Sequence, residues 1–268
     1  MMVSFKRFRV LTAVLLVLTL AACDTAPETG RKQLLLIDPG QETKLDVTAF
    51  QQKKRQTPIA RNPQAQQQLQ AVGVRLARVA KVPNARWEFV LFEDPEPNAF
   101  ALPGGKVGVN TGILPITKNE VGLATVVAHE IAHVSARHGA ERMSQGAAVQ
   151  LGGTVLNAVL GATGYSGMTQ NVAMQAFGLG AQYGLLMPYS RTQEAEADRI
   201  GLMYMARAGY DPREAIAFWQ RFQAYNAKRG GKSLEFLSSH PLDKNRIANL
   251  QKYMPQAMAA YRKARGNG

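Results

Sequence analysis

The amino-acid sequence predicts an α+β fold that is mostly helical and contains one small β-sheet. Three observations lead to this prediction. The chain has 268 residues, of which 46% are hydrophobic and 19% charged, a composition typical of a folded globular protein and not of a disordered one. Two strand-like stretches follow one another near the middle of the chain. Stretches with helical periodicity and capping residues lie on both sides of them.

The chain begins with the pattern of an export signal. Basic residues precede an apolar run, Val10–Leu20, which is too short for a spanning helix of about 20 apolar residues. Leu20-Ala21-Ala22-Cys23 then resembles the lipobox of bacterial lipoproteins. The resemblance implies that residues 1–22 are a signal peptide and that Cys23 carries acyl chains such as palmitate. We therefore expect a lipoprotein held on a lipid bilayer through Cys23.

This anchor predicts a location in the bacterial envelope, facing the periplasm. The sequence does not decide between the inner and the outer membrane. Asp24 resembles the inner-membrane retention signal of enteric bacteria, but other bacteria use different rules. The net charge of +13 favours anionic partners such as membrane surfaces, and export makes nucleic acid an unexpected one. Cys23 is the sole cysteine, which excludes an internal disulfide framework, a Cys-rich zinc ribbon and a Cys-x-x-Cys redox motif.

Residues 23–32 are small, polar and rich in turn formers, so we expect the lipidated cysteine to be followed by a tether, and a single domain over residues 33–268. Thr117 and Glu120 have the spacing of a capping box, which predicts the start of a helix there. Gly139 is expected to end this helix. In chain order, the predicted elements are helices Gln41–Arg55 and Asn62–Val79, strands Arg86–Phe92 and Lys106–Thr111, and helices Val121–His138, Arg191–Ala208, Asp211–Lys228 and Pro241–Tyr253.

One long region carries no charge. No charged residue occurs between Arg142 and Arg191, and the stretch is rich in Gly, Ala, Met and Gln. Polar amides interrupt it too often for a membrane span. We expect a Gly-rich helical hairpin with its tip near Gly161–Gly167, which could serve as a lid, a lipid-facing surface or a partner groove.

The central motif is His129-Glu130-Ile131-Ala132-His133. Residues four apart lie on one face of a helix, so both imidazoles can point at one ion while Glu130 projects beside them. Two neutral imidazoles on a rigid helix form half of a zinc site. With four histidines and twelve glutamates in the chain, roughly 0.003 such motifs are expected by chance. A purely structural zinc site would more often be closed by four protein ligands.

An acidic cluster further along the chain supplies a candidate third ligand. Glu194 and Asp198 share one face of a predicted helix, so one carboxylate can bind the metal while the other orients a histidine ligand. Without the upstream motif, the cluster would be interpreted as a solvated first turn of a helix.

Three motifs together resemble the gluzincin metallopeptidase family of the type I CaaX prenyl protease, HtpX and BepA, and within it the small periplasmic lipoproteins of the LoiP and YcaL kind. They are His129-Glu130-x-x-His133, Ser190-Arg191-x-x-Glu194-x-Glu196-Ala197-Asp198-x-x-Gly201, and His240-Pro241-x-x-x-x-Arg246-Ile247. The resemblance extends from Thr29 to about Tyr253. It implies a zincin-like metalloprotease domain with the small β-sheet next to the helix that carries the two histidines.

The resemblance implies a role for each site residue. His129, His133 and Glu194 would bind one Zn²⁺ per chain, Glu130 would be the catalytic base, and Asp198 would support His129. His240 would be either a catalytic partner of the transition state or an inhibitory plug on the metal, and its structural alternative is a helix cap.

Three further residues near these motifs are interpreted structurally or left open. Arg246 is either a companion of His240 or a helix-surface cation. His138 is interpreted as a structural cation at the negative end of the motif helix. Glu196 falls on another helix face and is left out of the site.

A substrate site is also expected. The strand that begins after Gly104 and Gly105 has little bulk at its entrance, so an extended polypeptide can add to its edge through main-chain hydrogen bonds. The alternative is an ordinary edge strand. The resemblance adds Asn98 and Ala99 as contacts to the substrate backbone.

Two functions from different classes follow. The first is a zinc-dependent endopeptidase that hydrolyses unfolded or misassembled envelope proteins, as part of protein quality control. The second is a metal-binding, chaperone-like lipoprotein in which hydrolysis is suppressed. Retention of Glu130 favours the first, because a pure binding protein does not need this base.

Overall fold

The computed structural model describes residues 23–26, 28–80, 82–182, 186–230, 236–237, 240 and 245–266. The predicted signal peptide, residues 1–22, lies outside these ranges. The strands are β1 (Cys23–Thr25), β2 (Lys32–Leu34), β3 (Glu88–Phe92), β4 (Ala99–Leu102) and β5 (Lys106–Asn110). The helices are α1 (Pro39–Gln56), α2 (Pro63–Ala80), α3 (Leu114–Thr117), α4 (Glu120–Ser135), α5 (His138–Ala162), α6 (Gly167–Ala181), α7 (Met187–Arg207), α8 (Glu214–Lys228) and α9 (Arg246–Ala264). The predicted α+β, mostly helical class is confirmed.

The main sheet has three strands in the order β3-β5-β4. Strand β5 pairs in parallel with β3 and antiparallel with β4, so it is central and both of its edges are occupied. The expectation that a polypeptide adds to the edge of this strand is therefore wrong. No strand is predicted between β3 and β5 from the sequence, so β4 is an addition to the predicted sheet. Gly104 and Gly105 form the turn from β4 into β5, with φ of 79° and 91° that only glycine adopts without strain.

The segment expected to be a tether is folded against the domain. Strands β1 and β2 form an antiparallel hairpin in which Cys23 pairs with Leu34. Its turn contains Ala26, which is buried, and just beyond β2 the Leu36 amide donates to Ser144 Oγ at 2.9 Å. The chain after Cys23 is thus held against helix α5 and is not a free linker.

Helix α4 has different ends from those predicted. Asn119 caps it, and its side chain accepts a hydrogen bond from the Gly122 amide at 2.9 Å, whereas Thr117 belongs to α3. The helix ends at Ser135, because Arg137 has a left-handed φ of 54° and His138 begins the next helix. The capping box and the stop at Gly139 are therefore both wrong.

The uncharged region forms the predicted helical hairpin. Helices α5 and α6 pack against each other, with Phe177 on Gly152 and Gly153, and the connection lies between Ala162 and Gly167. Several apolar side chains of the hairpin are exposed, among them Leu151, Val155, Val159, Met168 and Val172. Among the described residues, no helix combines the length and the hydrophobicity needed to cross a bilayer.

The core surrounds helix α4. Helices α2 and α7 pack on two of its sides, strand β4 and helix α8 cover it further, and α9 packs on α7. Helix α2 also packs on β3, and Gly73 allows this close approach, because a Cβ there would lie 2.4 Å from the Phe89 ring. This arrangement buries the polar motif of α4 inside the domain.

Candidate metal centre

Helix α4 presents both imidazoles of the central motif on one face. His129 and His133 lie one turn apart, and their Nε2 atoms are 3.1 Å from each other. Both rings are buried. The helix can lie inside the protein because most of its other residues are small or aliphatic. Two imidazoles held on a rigid, buried helix provide half of a metal site.

Helix α7 brings a carboxylate to the same point. Glu194 Oε2 lies 3.2 Å from His129 Nε2, and Glu194 Oε1 lies 3.4 Å from His133 Nε2. Gly201 lets α7 approach α4 this closely, because a Cβ there would be 3.1 Å from the backbone nitrogen of His129. The structure thus brings together the three residues that the resemblance implied as ligands.

His240 is the fourth donor of the cluster. Its Nδ1 lies 3.0 Å from Glu194 Oε2 and 3.3 Å from His129 Nε2, and its Nε2 lies 3.4 Å from Glu130 Oε1. The alternative of a helix cap is wrong, since α9 begins at Arg246 with Asn245 at the N-cap position. His240 therefore faces both the metal donors and the predicted base.

The spacing of these four donors fits a zinc ion. One ligand atom from each of His129, His133, Glu194 and His240 lies within 4.8 Å of all the others. Donors around a tetrahedral zinc with bonds of about 2.0–2.1 Å are about 3.3 Å apart, which matches the separations of 3.1, 3.2 and 3.4 Å among the donor atoms of His129, His133 and Glu194. Imidazole nitrogen and carboxylate oxygen are also donors that zinc prefers.

Burial and charge act in opposite directions on the pKa values of the donors. Burial alone would raise the pKa of Glu194, but the surrounding imidazoles outweigh it and hold that pKa well below its usual range. Burial alone would lower the pKa of His129, but hydrogen bonds with Asp198 and Glu194 raise it to about 9. The protein thus offers an ionised carboxylate to a cation beside two imidazoles.

Asp198 and Arg246 lie behind the ligands. Asp198 Oδ1 lies 3.0 Å from His129 Nδ1, where the resemblance places the supporting carboxylate. Arg246 Nη2 donates to the same oxygen at 2.8 Å, and the guanidinium stacks 3.4 Å above the centre of the Trp219 ring. Because Arg246 is buried, its interpretation as a helix-surface cation is wrong.

The predicted base, Glu130, is buried beside the donors. Its Oε1 accepts no hydrogen bond from the part of the chain that the structure describes. Burial raises the pKa of Glu130 above the ordinary value of a glutamate. A buried carboxylate with a raised pKa beside the metal donors is suited to taking up a proton.

Two supporting residues were missed. His138 does not lie at the end of the motif helix but is fully buried at the start of α5, with its Nδ1 2.8 Å from His133 Nδ1. Its Nε2 lies 3.0 Å from Glu196 Oε2. Glu196 does face away from Glu194, as expected, but it supports His133 through His138. The only signal in the sequence was a second histidine five positions after His133.

The residues predicted to contact substrate separate into two groups. Asn98 and Ala99 lie at the start of β4, which packs on α4, and Asn98 Oδ1 is buried without a hydrogen-bond partner among the described residues. Gly104 and Gly105 lie at the other end of β4. The Arg86 amide donates to the Gly104 carbonyl, and the Glu88 amide donates to the Gly105 carbonyl. The edge strand nearest the candidate centre is therefore β4.

Comparison with known proteins gives consistent matches. The model of Peptidase family M48 matches residues 63–254. The chain is 41% identical over 183 residues to mitochondrial metalloendopeptidase OMA1 of Schizosaccharomyces pombe, covering 68% of this chain and 51% of the relative. It is 44% identical over 181 residues to the Saccharomyces cerevisiae protein of the same name, covering 66% and 49%. It is 30% identical over 238 residues to the beta-barrel assembly-enhancing protease of Escherichia coli, covering 85% and 47%. The chain spans about half the length of these relatives.

Proposed function

Because the chain belongs to peptidase family M48, as the match over residues 63–254 shows, we propose that it is a zinc-dependent endopeptidase. The family predicted from the three motifs is thereby confirmed. One observation carries the proposal: four buried metal donors meet at one point, and the buried carboxylate of Glu130, whose Oε1 lies 3.4 Å from His240 Nε2, is beside them. In this proposal His129, His133 and Glu194 hold the ion, and Glu130 is the general base.

The residues around the ion have separable tasks. When bound, zinc supplies Lewis-acid chemistry, since it lowers the pKa of a water molecule and polarises a peptide carbonyl. Glu130 accepts the proton of that water as the water oxygen bonds to the carbonyl carbon. Glu130 then delivers the proton to the peptide nitrogen as the C–N bond breaks, so an acid and an amine leave. The raised pKa of Glu130 favours the first of these transfers, the uptake of the proton from water.

His240 has to move for this chemistry to occur. A catalytic zinc would keep one position open beside three protein ligands, and His240 Nδ1, 3.0 Å from Glu194 Oε2 and 3.3 Å from His129 Nε2, would compete with water for that position. A ring withdrawn toward Glu130, whose Oε1 is 3.4 Å from His240 Nε2, would leave room for water and would donate a hydrogen bond to the forming oxyanion. The closed donor set is the observation that favours the second candidate function, a metal-binding chaperone-like protein that captures polypeptides without cleaving them.

The proposed substrate is an extended segment of an unfolded or misassembled envelope protein. Among the described residues, β4 pairs with a strand on one side only, and it packs on the helix that carries the ligands. A segment added to its free edge is held by main-chain hydrogen bonds, which are largely indifferent to side chains. Asn98 Oδ1, which is buried and has no hydrogen-bond partner among the described residues, is the proposed acceptor for a substrate amide. The Escherichia coli relative is named for enhancing β-barrel assembly, which supports envelope proteins as the substrate class.

The proposed location is the bacterial envelope, with the domain in the periplasm and acylated Cys23 in the inner or the outer membrane. The apolar run before Leu20-Ala21-Ala22-Cys23 supports this proposal. The chain without residues 1–22 loses Lys6, Arg7 and Arg9, so its net charge is +13 − 3 = +10, which also suits an anionic bilayer. Labelling cells with a fatty-acid analogue tests it, with Cys23→Ser as the control. A label that persists in this variant contradicts acylation at Cys23.

Cleavage of an unfolded protein tests the catalytic proposal. Reduced, unfolded casein is incubated with the zinc-loaded wild type, with Glu130→Gln, and with Glu120→Gln as a matched control in the first turn of the same helix. We expect Glu130→Gln to lower kcat by about 10²–10⁴-fold with its zinc content unchanged, and Glu120→Gln to retain the wild-type rate. Equal rates for the two variants contradict the assignment of the base. Zinc-loaded wild type that binds casein but does not cleave it contradicts the peptidase and supports the chaperone-like alternative.

A further inference from the structure

We infer that Arg31, in the segment that follows Cys23, is a positioning residue for the metal ligand His133; this inference rests on the proposed function. A continuous series of contacts joins the two residues. Arg31 Nε lies 2.7 Å from Glu196 Oε2, and that oxygen lies 3.0 Å from His138 Nε2. His138 Nδ1 then lies 2.8 Å from His133 Nδ1.

The direction of these hydrogen bonds fixes the tautomer of His133. The Glu196 carboxylate can only accept, so His138 must carry its proton on Nε2 and presents Nδ1 as an acceptor. His133 then carries its proton on Nδ1 and donates it to His138. Its Nε2 is left with a free lone pair, the form that a zinc ligand requires. His133 is thus oriented through a histidine and a carboxylate, whereas His129 is oriented directly by Asp198.

Arg31 holds this carboxylate in place. Its guanidinium also forms a two-pronged pair with Glu141 on α5, with Nη1 and Nη2 each 2.7 Å from a carboxylate oxygen. Glu141 is fully buried and accepts a further hydrogen bond from Gln193 on α7. Arg31 therefore joins the start of α5, which carries His138, to the turn of α7 that carries Glu196. A planar arginine fork suits this double contact, and a lysine could make only part of it.

The rest of the segment contributes to the same clamp. Thr29 Oγ1 donates to Glu196 Oε1, so both oxygens of this carboxylate are engaged by the chain between β1 and β2. Without Arg31, the buried carboxylates of Glu141 on α5 and Glu196 on α7 would lose their shared positive partner. Leaving a buried charge without its partner destabilises a fold. Strand β1 contains Cys23, so the segment nearest the proposed anchor also completes the support of the metal site.

Zinc affinity, kinetics and imidazole tautomers together test this inference. Arg31→Met removes the fork, Arg31→Lys keeps the charge, and Arg207→Met is the matched control, because Arg207 pairs with Glu28 of the same segment on the exposed side. Chelator competition gives the Kd for zinc, and casein cleavage gives kcat and KM. Unfolding is followed in parallel on the metal-free proteins.

We expect Arg31→Met to weaken zinc binding about 10–100-fold and to lower kcat while KM changes by less than about twofold. Arg31→Lys recovers part of the affinity, and Arg207→Met binds zinc as the wild type does. Arg31→Met with wild-type zinc affinity and kcat overturns the inference. A loss of stability without a loss of zinc affinity in the folded protein also overturns it. If the wild type binds zinc but does not cleave, the proposed peptidase fails while the zinc affinities still decide the role of Arg31.

Nitrogen NMR gives a readout that does not depend on activity. The chain contains four histidines, so labelled imidazole nitrogens are assignable with single His→Gln variants. In the wild type we expect the Nδ1–H tautomer for His133 and the Nε2–H tautomer for His138. In the metal-free proteins, Arg31→Lys should preserve both tautomers, whereas Arg31→Met and the milder Arg31→Gln should mix them. Identical tautomers in the wild type and in Arg31→Gln or Arg31→Met overturn the inference, and Arg31→Gln decides the question if Arg31→Met does not fold.

Discussion

Replacing Asp198 by asparagine tests whether the Asp198 carboxylate supports the metal ligand His129. The side chains have nearly the same shape, but the amide cannot carry the negative charge that Arg246 and His129 now face. Arg246 Nη2 donates to Asp198 Oδ1 at 2.8 Å, its Nε lies 2.7 Å from Oδ2, and His129 Nδ1 lies 3.0 Å from Oδ1. All three residues are buried, so water compensates little of the loss.

The magnitude follows from two effects of this change. Losing the carboxylate behind a histidine ligand typically weakens metal binding about 10–100-fold, which corresponds to about 1.4–2.7 kcal/mol. Removing one partner of a buried ion pair destabilises a fold by about 3–5 kcal/mol. Arg246 Nη2 also lies 3.4 Å from Glu194 Oε2. Without Asp198, we expect the guanidinium to pair with Glu194 and to compete with zinc for this carboxylate. We therefore expect the variant to lose both zinc affinity and stability.

Chelator competition measures the zinc Kd of Asp198→Asn, and urea unfolding of the metal-free protein measures its stability separately. Asp211→Asn is the control, because Asp211 pairs with the exposed Arg213 and lies outside the centre. We expect the control to change stability by less than about 1 kcal/mol. An Asp198→Asn protein with the zinc affinity of the wild type would refute the assignment of Asp198 as the support of His129.

Two further predictions concern the scaffold. Gly73→Ala should destabilise the protein by about 1–3 kcal/mol in urea unfolding, because its Cβ would lie 2.4 Å from the Phe89 ring. Gly161→Ala, which has open space around it, is the control and should be neutral or slightly stabilising. Equal stabilities of the two variants would contradict the packing of α2 on β3. Burial and the hydrogen bond to Glu120 raise the pKa of Tyr210 to about 12 from its ordinary value near 10. The unfolded chain therefore releases this proton first, so stability should fall as pH rises from about 10 to about 12. Tyr210→Phe should show a smaller fall over that range, and an unchanged fall would contradict the shift.

The sequence predicted those parts of the centre that depend on local spacing. His129 and His133 need only one helical turn to meet, and the helix periodicity of α4 was evident. Glu194 and Asp198 were placed through their shared helix face and the family resemblance. The charge-free hairpin also followed from local signals, since breakers near Gly161–Gly167 mark its tip.

The parts that were missed depend on packing between distant segments. Strand β4 is only four residues long and is enclosed by turn formers, so its strand identity comes from pairing with β5 and not from its own pattern. The end of α4 was misplaced because Arg137, not the following glycine, adopts the left-handed conformation. His138, Glu196 and Arg31 meet only after three separate elements have packed, and no sequence spacing predicts that meeting.

Zinc-edge X-ray absorption of the purified protein tests the central claim most directly, because it reports the donors around the ion and not the activity. The account predicts one zinc per chain with only nitrogen and oxygen donors at about 2.0–2.1 Å, including imidazoles, and a loss of most of that zinc in Glu194→Ala. A wild-type protein that binds no zinc, or a Glu194→Ala protein whose zinc content and donor shell are those of the wild type, would contradict it.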